Sequence, residues 1–120
     1  WWSSRQGSYI PTPLWHEDLL YVANERGTVA VFDPKTGREH YNERLNPRRG
    51  GMAYGSPVTA GGKVFIPRND GSIHVIQTGT KFKKIVTNHM KEQTMATPAI
   101  SEGMLFIRTR RHLYCIAEAR

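Results

Sequence analysis

The chain of 120 residues holds a single cysteine, Cys115, only three aspartates, and no apolar run of 18 or more residues. One cysteine cannot close an internal disulfide or build a zinc site from several thiolates, so a disulfide-stapled scaffold is excluded. Without a long apolar run no helical membrane span is expected. The first residues also lack the basic start, apolar middle and small-residue cleavage site of a signal peptide. The first residue is Trp1 and not methionine, which raises the expectation of a piece cut from a longer protein. Nowhere do apolar residues recur over a long stretch at the helical period.

Several chemistries are missing as well. The histidines, His16, His40, His74, His89 and His112, show no i, i+4 pairing of the kind that holds a metal on a helix. The glycine pairs Gly50-Gly51 and Gly61-Gly62 are not followed by Lys-Ser or Lys-Thr at phosphate-loop spacing, so they read as turns. What is present is ordinary for a folded domain, with 38% hydrophobic and 22% charged residues. Lys and Arg number 17 against 10 Asp and Glu, a net charge of +7. The cations gather near turns, at Arg48 and Arg49, at Lys81, Lys83 and Lys84, and at Arg108, Arg110 and Arg111. They form a solvated rim, or else a patch suited to an acidic partner.

A repeat organises the rest. Ser56-Pro57-Val58-Thr59-Ala60-Gly61-Gly62-Lys63-Val64-Phe65-Ile66 returns as Thr97-Pro98-Ala99-Ile100-Ser101-Glu102-Gly103-Met104-Leu105-Phe106-Ile107. Upstream, Thr12-Pro13-Leu14-Trp15-His16-Glu17-Asp18-Leu19-Leu20-Tyr21-Val22 aligns without gaps. The prolines Pro13, Pro57 and Pro98 stand 44 and then 41 positions apart, a period suited to four-stranded propeller blades.

After each opening a short apolar strand runs into a tight turn, and a second apolar strand follows. Those second strands are Thr28–Phe32, Ser72–Ile76 and His112–Ile116. In the first two units Gly27 and Gly71 provide the positive φ that the hairpin needs. In the third, Arg110-Arg111-His112 is one residue shorter and has no glycine, so a different turn is expected. Both alternating sets of these strands are apolar, as in Val29 and Val31 against Ala30 and Phe32, so both faces of each sheet expect a neighbour. Residues 39–45 and 81–88 are more polar and suit outer edge strands.

The expected fold is therefore all-β, a partial β-propeller of about three four-stranded antiparallel blades. Residues 1–7 would end a preceding blade, 8–50 and 51–92 would form two blades, and 93–120 an incomplete last one. Three blades are too few for a closed ring of four to eight. The missing ones must come from a longer chain or from other copies of this chain.

The most specific segment is Val31-Phe32-Asp33-Pro34-Lys35-Thr36-Gly37-Arg38-Glu39-His40-Tyr41. Asp33 can accept local N–H groups, Pro34 presets φ, and Gly37 takes a conformation other residues avoid. This segment resembles the tryptophan-docking motif of the pyrroloquinoline quinone (PQQ)-like β-propeller family, with Val31 at the small-residue position and Tyr41 at the aromatic one. The openings at Ser56-Pro57 and Thr97-Pro98, and the ending Leu113-Tyr114-Cys115-Ile116, are similar to its C-terminal blades. The structural repeat residues are thus Asp33, Thr36, Gly37, Tyr41, Pro13, Pro57, Pro98, Gly27 and Gly71.

The family contains quinoprotein dehydrogenases, which use PQQ and calcium, and also propellers that bind no quinone. Among the latter is the propeller lipoprotein of the bacterial outer-membrane β-barrel assembly machinery. The resemblance implies a periplasmic or otherwise extracytoplasmic setting and a non-catalytic scaffold or protein-binding role; the alternative is a dehydrogenase segment. No catalytic, cofactor or metal residue is expected, since Asp18, Asp33 and Asp70 all sit in turns. His74 reads as an interblade histidine bonded to a hydroxyl or backbone group, and Cys115 as a small buried hydrophobe. The aromatics Trp1, Trp2, Trp15, Tyr9, Tyr21, Tyr41 and Tyr54 read as interblade packing, which leaves nucleic acid an unexpected partner.

Overall fold

The structure, a computed structural model, describes residues 1, 7–46 and 51–118. The expectations placed on Trp2, Arg48, Arg49, Gly50 and the last two residues lie outside them. The described residues form eleven strands and no helix. Strands β1 (Leu14–His16), β2 (Leu19–Ala23), β3 (Thr28–Phe32) and β4 (Glu39–Arg44) make one antiparallel sheet in sequence order. Strands β5 (Val58–Ala60), β6 (Lys63–Pro67), β7 (Ser72–Gln77) and β8 (Lys84–His89) make the second. Strands β9 (Ala99–Ser101), β10 (Met104–Arg108) and β11 (Leu113–Ile116) make a three-stranded third sheet among the described residues. Each sheet is one copy of the repeat, and the architecture is the expected partial propeller.

Local chemistry explains the strand order. The turn between the first two strands of every unit has two residues, both with positive φ: Glu17 and Asp18 (47° and 56°), Gly61 and Gly62 (56° and 69°), Glu102 and Gly103 (50° and 75°). That is the type I′ geometry whose twist matches antiparallel strands. The next hairpin closes on Gly27 (φ 93°) or Gly71 (φ 87°). In the fourth strands one residue is extra. Val31 faces Tyr41 but Phe32 faces Glu39, and Val75 faces Val86 but Ile76 faces Lys84. A bulge therefore falls at His40 and at Ile85, the same place in two units.

Period-two alternation gives each sheet two apolar faces. One face of the first sheet, with Tyr21, Val29, Val31, Tyr41 and Leu45, packs on the second sheet's Val64, Ile66 and Ile76 in one buried cluster. The second sheet's other face, at Ala60 and Phe65, meets Ile100, Leu105 and Ile116 of the third across an apolar cleft of about 260 Å³. So each unit lays its rear face on the front face of the next. The first sheet's own front face groups Leu20, Val22, Ala30 and Phe32.

The third sheet's rear face carries Phe106, paired across strands with Cys115 and Ala99, and Leu113, paired with Arg108. The expectation of a buried cysteine is corrected here: Cys115 is exposed, its Sγ 3.6 Å from the Met104 sulfur. In the first unit the equivalent position, Val31, is buried because the second sheet covers it. No described residue plays that part for the third sheet. Trp15 and Tyr9 also depart from the expected interblade packing, at 59% and 85% exposure.

Candidate functional site

The turn after β3 is built around Asp33. Its Oδ1 accepts the N–H groups of Lys35 (2.8 Å) and Thr36 (3.1 Å), its carbonyl accepts Gly37 N–H (2.8 Å), and its own N–H donates to Arg38 (2.8 Å). The Thr36 hydroxyl accepts Arg38 N–H at 3.3 Å. The backbone bonds from Lys35 and Thr36 hold the Asp33 carboxyl below its ordinary value. The resulting turn is a platform for an indole. Trp1 stacks on Phe32 with centroids 5.9 Å apart, and its Nε1 donates to the Pro34 carbonyl at 2.8 Å. Its ring lies over Gly37, where a Cβ would come within 2.5 Å of it.

Tyr41, in the motif's aromatic position, is buried edge-on against Phe82 at 5.6 Å. Its neighbour across β3, Tyr21, accepts Gly79 N–H at 2.9 Å on its hydroxyl. The Tyr41 hydroxyl has no hydrogen-bond partner among the described residues, and burial raises its pKa. The second unit's counterpart, Val86, is 43% exposed.

The prolines set a second repeated contact. A proline holds the residue before it extended, and those residues carry hydroxyls. Thr12 N–H donates to Ser56 Oγ, and Ser56 N–H donates to Thr97 Oγ1, both at 2.9 Å. Hydroxyl and amide thus link successive units at the positions preceding Pro13, Pro57 and Pro98. Sequence reasoning found the prolines but missed this ladder, although the recurring Ser/Thr-Pro pair was its signal.

Gly27 and Gly71 prove doubly constrained. A Cβ on Gly27 would lie 2.7 Å from Arg68 Nη1, and one on Gly71 would collide with the Glu92 carbonyl. Asp70 braces the Gly71 hairpin by accepting from Ser72 N–H (2.9 Å), Ser72 Oγ (2.6 Å) and Gly51 N–H (3.1 Å). Burial works to raise the Asp70 carboxyl, but the bonds from Ser72 and Gly51, with Arg68 nearby, leave it below the ordinary value.

The third unit's shorter hairpin is held differently, as its sequence required. Glu92, reaching back from the preceding linker, accepts Thr109 Oγ1 (2.7 Å) and Arg111 N–H (3.1 Å) and contacts His112 Nδ1 at 2.6 Å. No sequence motif singled Glu92 out. The Thr94 hydroxyl donates to the Arg108 carbonyl at 2.6 Å. Around this hairpin two grooves of about 370 and 290 Å³ are lined by Arg108, Arg110, Arg111, Lys91 and Gln93. The Arg110 N–H donates to the Gln93 carbonyl, and the charged heads of Lys91, Arg108, Arg110 and Arg111 face solvent.

His74 lies on the front face of the second sheet, fully buried, with Nδ1 2.9 Å from the Thr87 hydroxyl opposite it. Burial first, then Lys84 and Arg68, push its pKa down to about 4, so the ring is neutral. Among the described residues no group of three or more His, Cys, Asp or Glu side chains converges as a metal site. Calcium takes six to eight oxygens. Asp33 and Asp70 lie in turns of different sheets and spend their oxygens on local donors.

A family profile described as outer membrane protein assembly factor BamB matches residues 2–120. The chain belongs to this family. It is the PQQ-like repeat family that the Asp33–Tyr41 segment and the Ser/Thr-Pro openings resemble. Among solved structures, a computationally designed protein, Ika4, is similar over 89% of this chain and 64% of its own, with 14% identity and a TM-score of 0.65. BamB from Moraxella catarrhalis matches over 82% of this chain and 40% of its own, with 19% identity and a TM-score of 0.43. The chain thus spans less than two thirds of either. No curated protein matches the chain. At such identities the designed protein speaks for the fold alone.

Proposed function

We propose that the chain is a non-catalytic propeller scaffold that binds protein, working in an extracytoplasmic setting as BamB-family membership suggests. One observation carries this reading. The carboxylates best placed for chemistry, Asp33, Asp70 and Glu92, are engaged in holding hairpins and linkers, and the buried histidine is bound to Thr87. The exposed cations Lys91, Arg108, Arg110 and Arg111 around the Glu92 hairpin favour an acidic protein segment as the partner.

Two titrations of the whole chain test it. With PQQ and calcium, no saturable change in quinone absorbance and no dye-coupled alcohol oxidation are expected; a saturable response with turnover returns the chain to the dehydrogenases. With a polyglutamate peptide, binding should weaken as salt rises and be lost in Arg110→Glu/Arg111→Glu. Equal binding by that variant, or tighter salt-dependent binding of duplex DNA than of the peptide, overturns the acidic-protein reading.

A further inference from the structure

The hairpin between β6 and β7 is held by a linker on each side. On one side Asn69 N–H donates to the Met52 carbonyl at 2.8 Å, and Asn69 Oδ1 accepts Met52 N–H at 2.7 Å. On the other side Met90 N–H donates to the Gly71 carbonyl at 2.9 Å, and the Glu92 carbonyl lies so close that a Cβ on Gly71 would strike it. Two unlike surfaces therefore flank one hairpin.

The first is apolar. Met52 is 43% exposed, and the Tyr54 hydroxyl donates to its sulfur at 3.8 Å. The second unit packs on the first and on the third, so this exposure is not that of a terminal sheet. The other surface is cationic, a groove of about 290 Å³ lined by Lys91, Glu92, Gln93, Arg110 and Arg111. Its one carboxylate, Glu92, is committed to Thr109, the Arg111 N–H and His112. Gln93 holds the repeat position of Met52: each carbonyl accepts an N–H from its own unit's hairpin, Gln93 from Arg110 and Met52 from Asn69. Met52 stays open although a further unit follows it, so openness belongs to this repeat position and not to the last sheet.

We propose that this surface docks an extended acidic protein segment which sets a pair of carboxylates on Lys91, Arg110 and Arg111 and a bulky apolar side chain on Met52. Guanidinium groups hold carboxylates with paired hydrogen bonds, and a lone exposed apolar spot beside them accepts one anchoring side chain. Crossing the hairpin from linker to linker covers three strand spacings of about 4.8 Å, roughly 14 Å. That is the reach of about four extended residues, which sets the distance between anchor and acids. Such a segment is one form of the acidic partner proposed above, so the inference rests on that reading and adds where the partner lies and what it must carry.

Fluorescence anisotropy of short labelled peptides on the 120-residue chain, with circular dichroism to establish folding, measures this. One peptide is glutamate-rich with a leucine about four positions before a glutamate pair; a second has serine for that leucine, and a third moves the leucine next to the pair. The first should bind about tenfold tighter than the second, and the third should lose the gain. Met52→Gln installs the side chain that the third unit carries at this position, and the Asn69 contact uses only backbone atoms of Met52. This variant should bind the serine peptide as the wild type does and show no preference for leucine, whereas Arg110→Glu/Arg111→Glu should bind neither. Equal binding of the first two peptides by the wild type overturns the proposal, as does a leucine preference that survives in Met52→Gln or in the third peptide; each leaves the acidic-partner reading standing. A folded wild type that binds none of the peptides overturns that reading and the proposal together. Tighter binding of phosphatidylglycerol vesicles than of the leucine peptide, weakened by Met52→Gln, assigns the surface to a bilayer and overturns the proposal too.

Discussion

Acidification should weaken the fold through one residue, His74. Its ring is fully buried between the first two sheets, and burial with Lys84 and Arg68 nearby depresses its pKa to about 4. In the unfolded chain the ring titrates near its ordinary value of 6.5. Between these values the unfolded state binds the proton and the folded state does not, so stability is fully present above pH 6.5 and falls as the pH drops toward 4. With one pKa unit equal to about 1.4 kcal/mol, the loss is about 2 kcal/mol by pH 5 and about 3 kcal/mol by pH 4. Urea unfolding followed by circular dichroism, at fixed protein concentration and stepped pH, reads this directly. His74→Gln keeps a polar partner for Thr87 but cannot titrate, so its stability should stay level from pH 6.5 to 5. A variant with the wild-type slope would refute the assignment, and so would a wild type that keeps its stability down to pH 5.

Other consequences follow from named contacts. Tyr41→Phe removes a buried hydroxyl that has no partner among the described residues and should raise stability by about 1 kcal/mol, whereas Tyr21→Phe, which strands the Gly79 N–H, should lower it by a similar amount. Opposite shifts in melting temperature are the check. Gly27→Ala meets both a φ of 93° and the buried Arg68 guanidinium, and should cost about 2 kcal/mol in denaturant titration. Replacing Glu17-Asp18 by Asn-Gly suits a type I′ turn and should stabilise by about 1 kcal/mol in the same assay. Gly37→Ala should expel the Trp1 indole from its platform, seen as altered near-ultraviolet dichroism with unchanged far-ultraviolet strand signal.

The strand order was legible because it rests on local rules. Glycine at 27 and 71, proline at 13, 57 and 98, and a period near 44 each act on backbone geometry that a sequence displays. Strand ends slipped by small amounts: β8 runs Lys84–His89 where residues 81–88 were expected, because the turn after β7 extends to Lys83, whose carbonyl accepts the Gln77 N–H at 2.9 Å. Less visible were contacts between units. The Thr12, Ser56 and Thr97 ladder joins residues of three repeats, and Glu92 reaches into a hairpin about 20 positions away. Such partners depend on how sheets stack, which no local pattern encodes. Cys115 misled for the same reason, since alternation says which face a residue occupies and not whether anything covers that face.

The bulges at His40 and Ile85 have a bearing on colloidal behaviour. A strand edge with regularly spaced amides is a template for any other strand, and a bulge spoils that spacing by bending the edge and interrupting its ladder. The first two sheets carry such an interruption in the outer strand, each beside polar side chains. In the third, β11 pairs with β10 in unbroken register from Leu113 to Ile116, and its other edge has no strand beside it among the described residues. A lysine placed along β11 is therefore expected to slow concentration-dependent aggregation of the 120-residue chain, read by light scattering, more than the same change in β4 or β8.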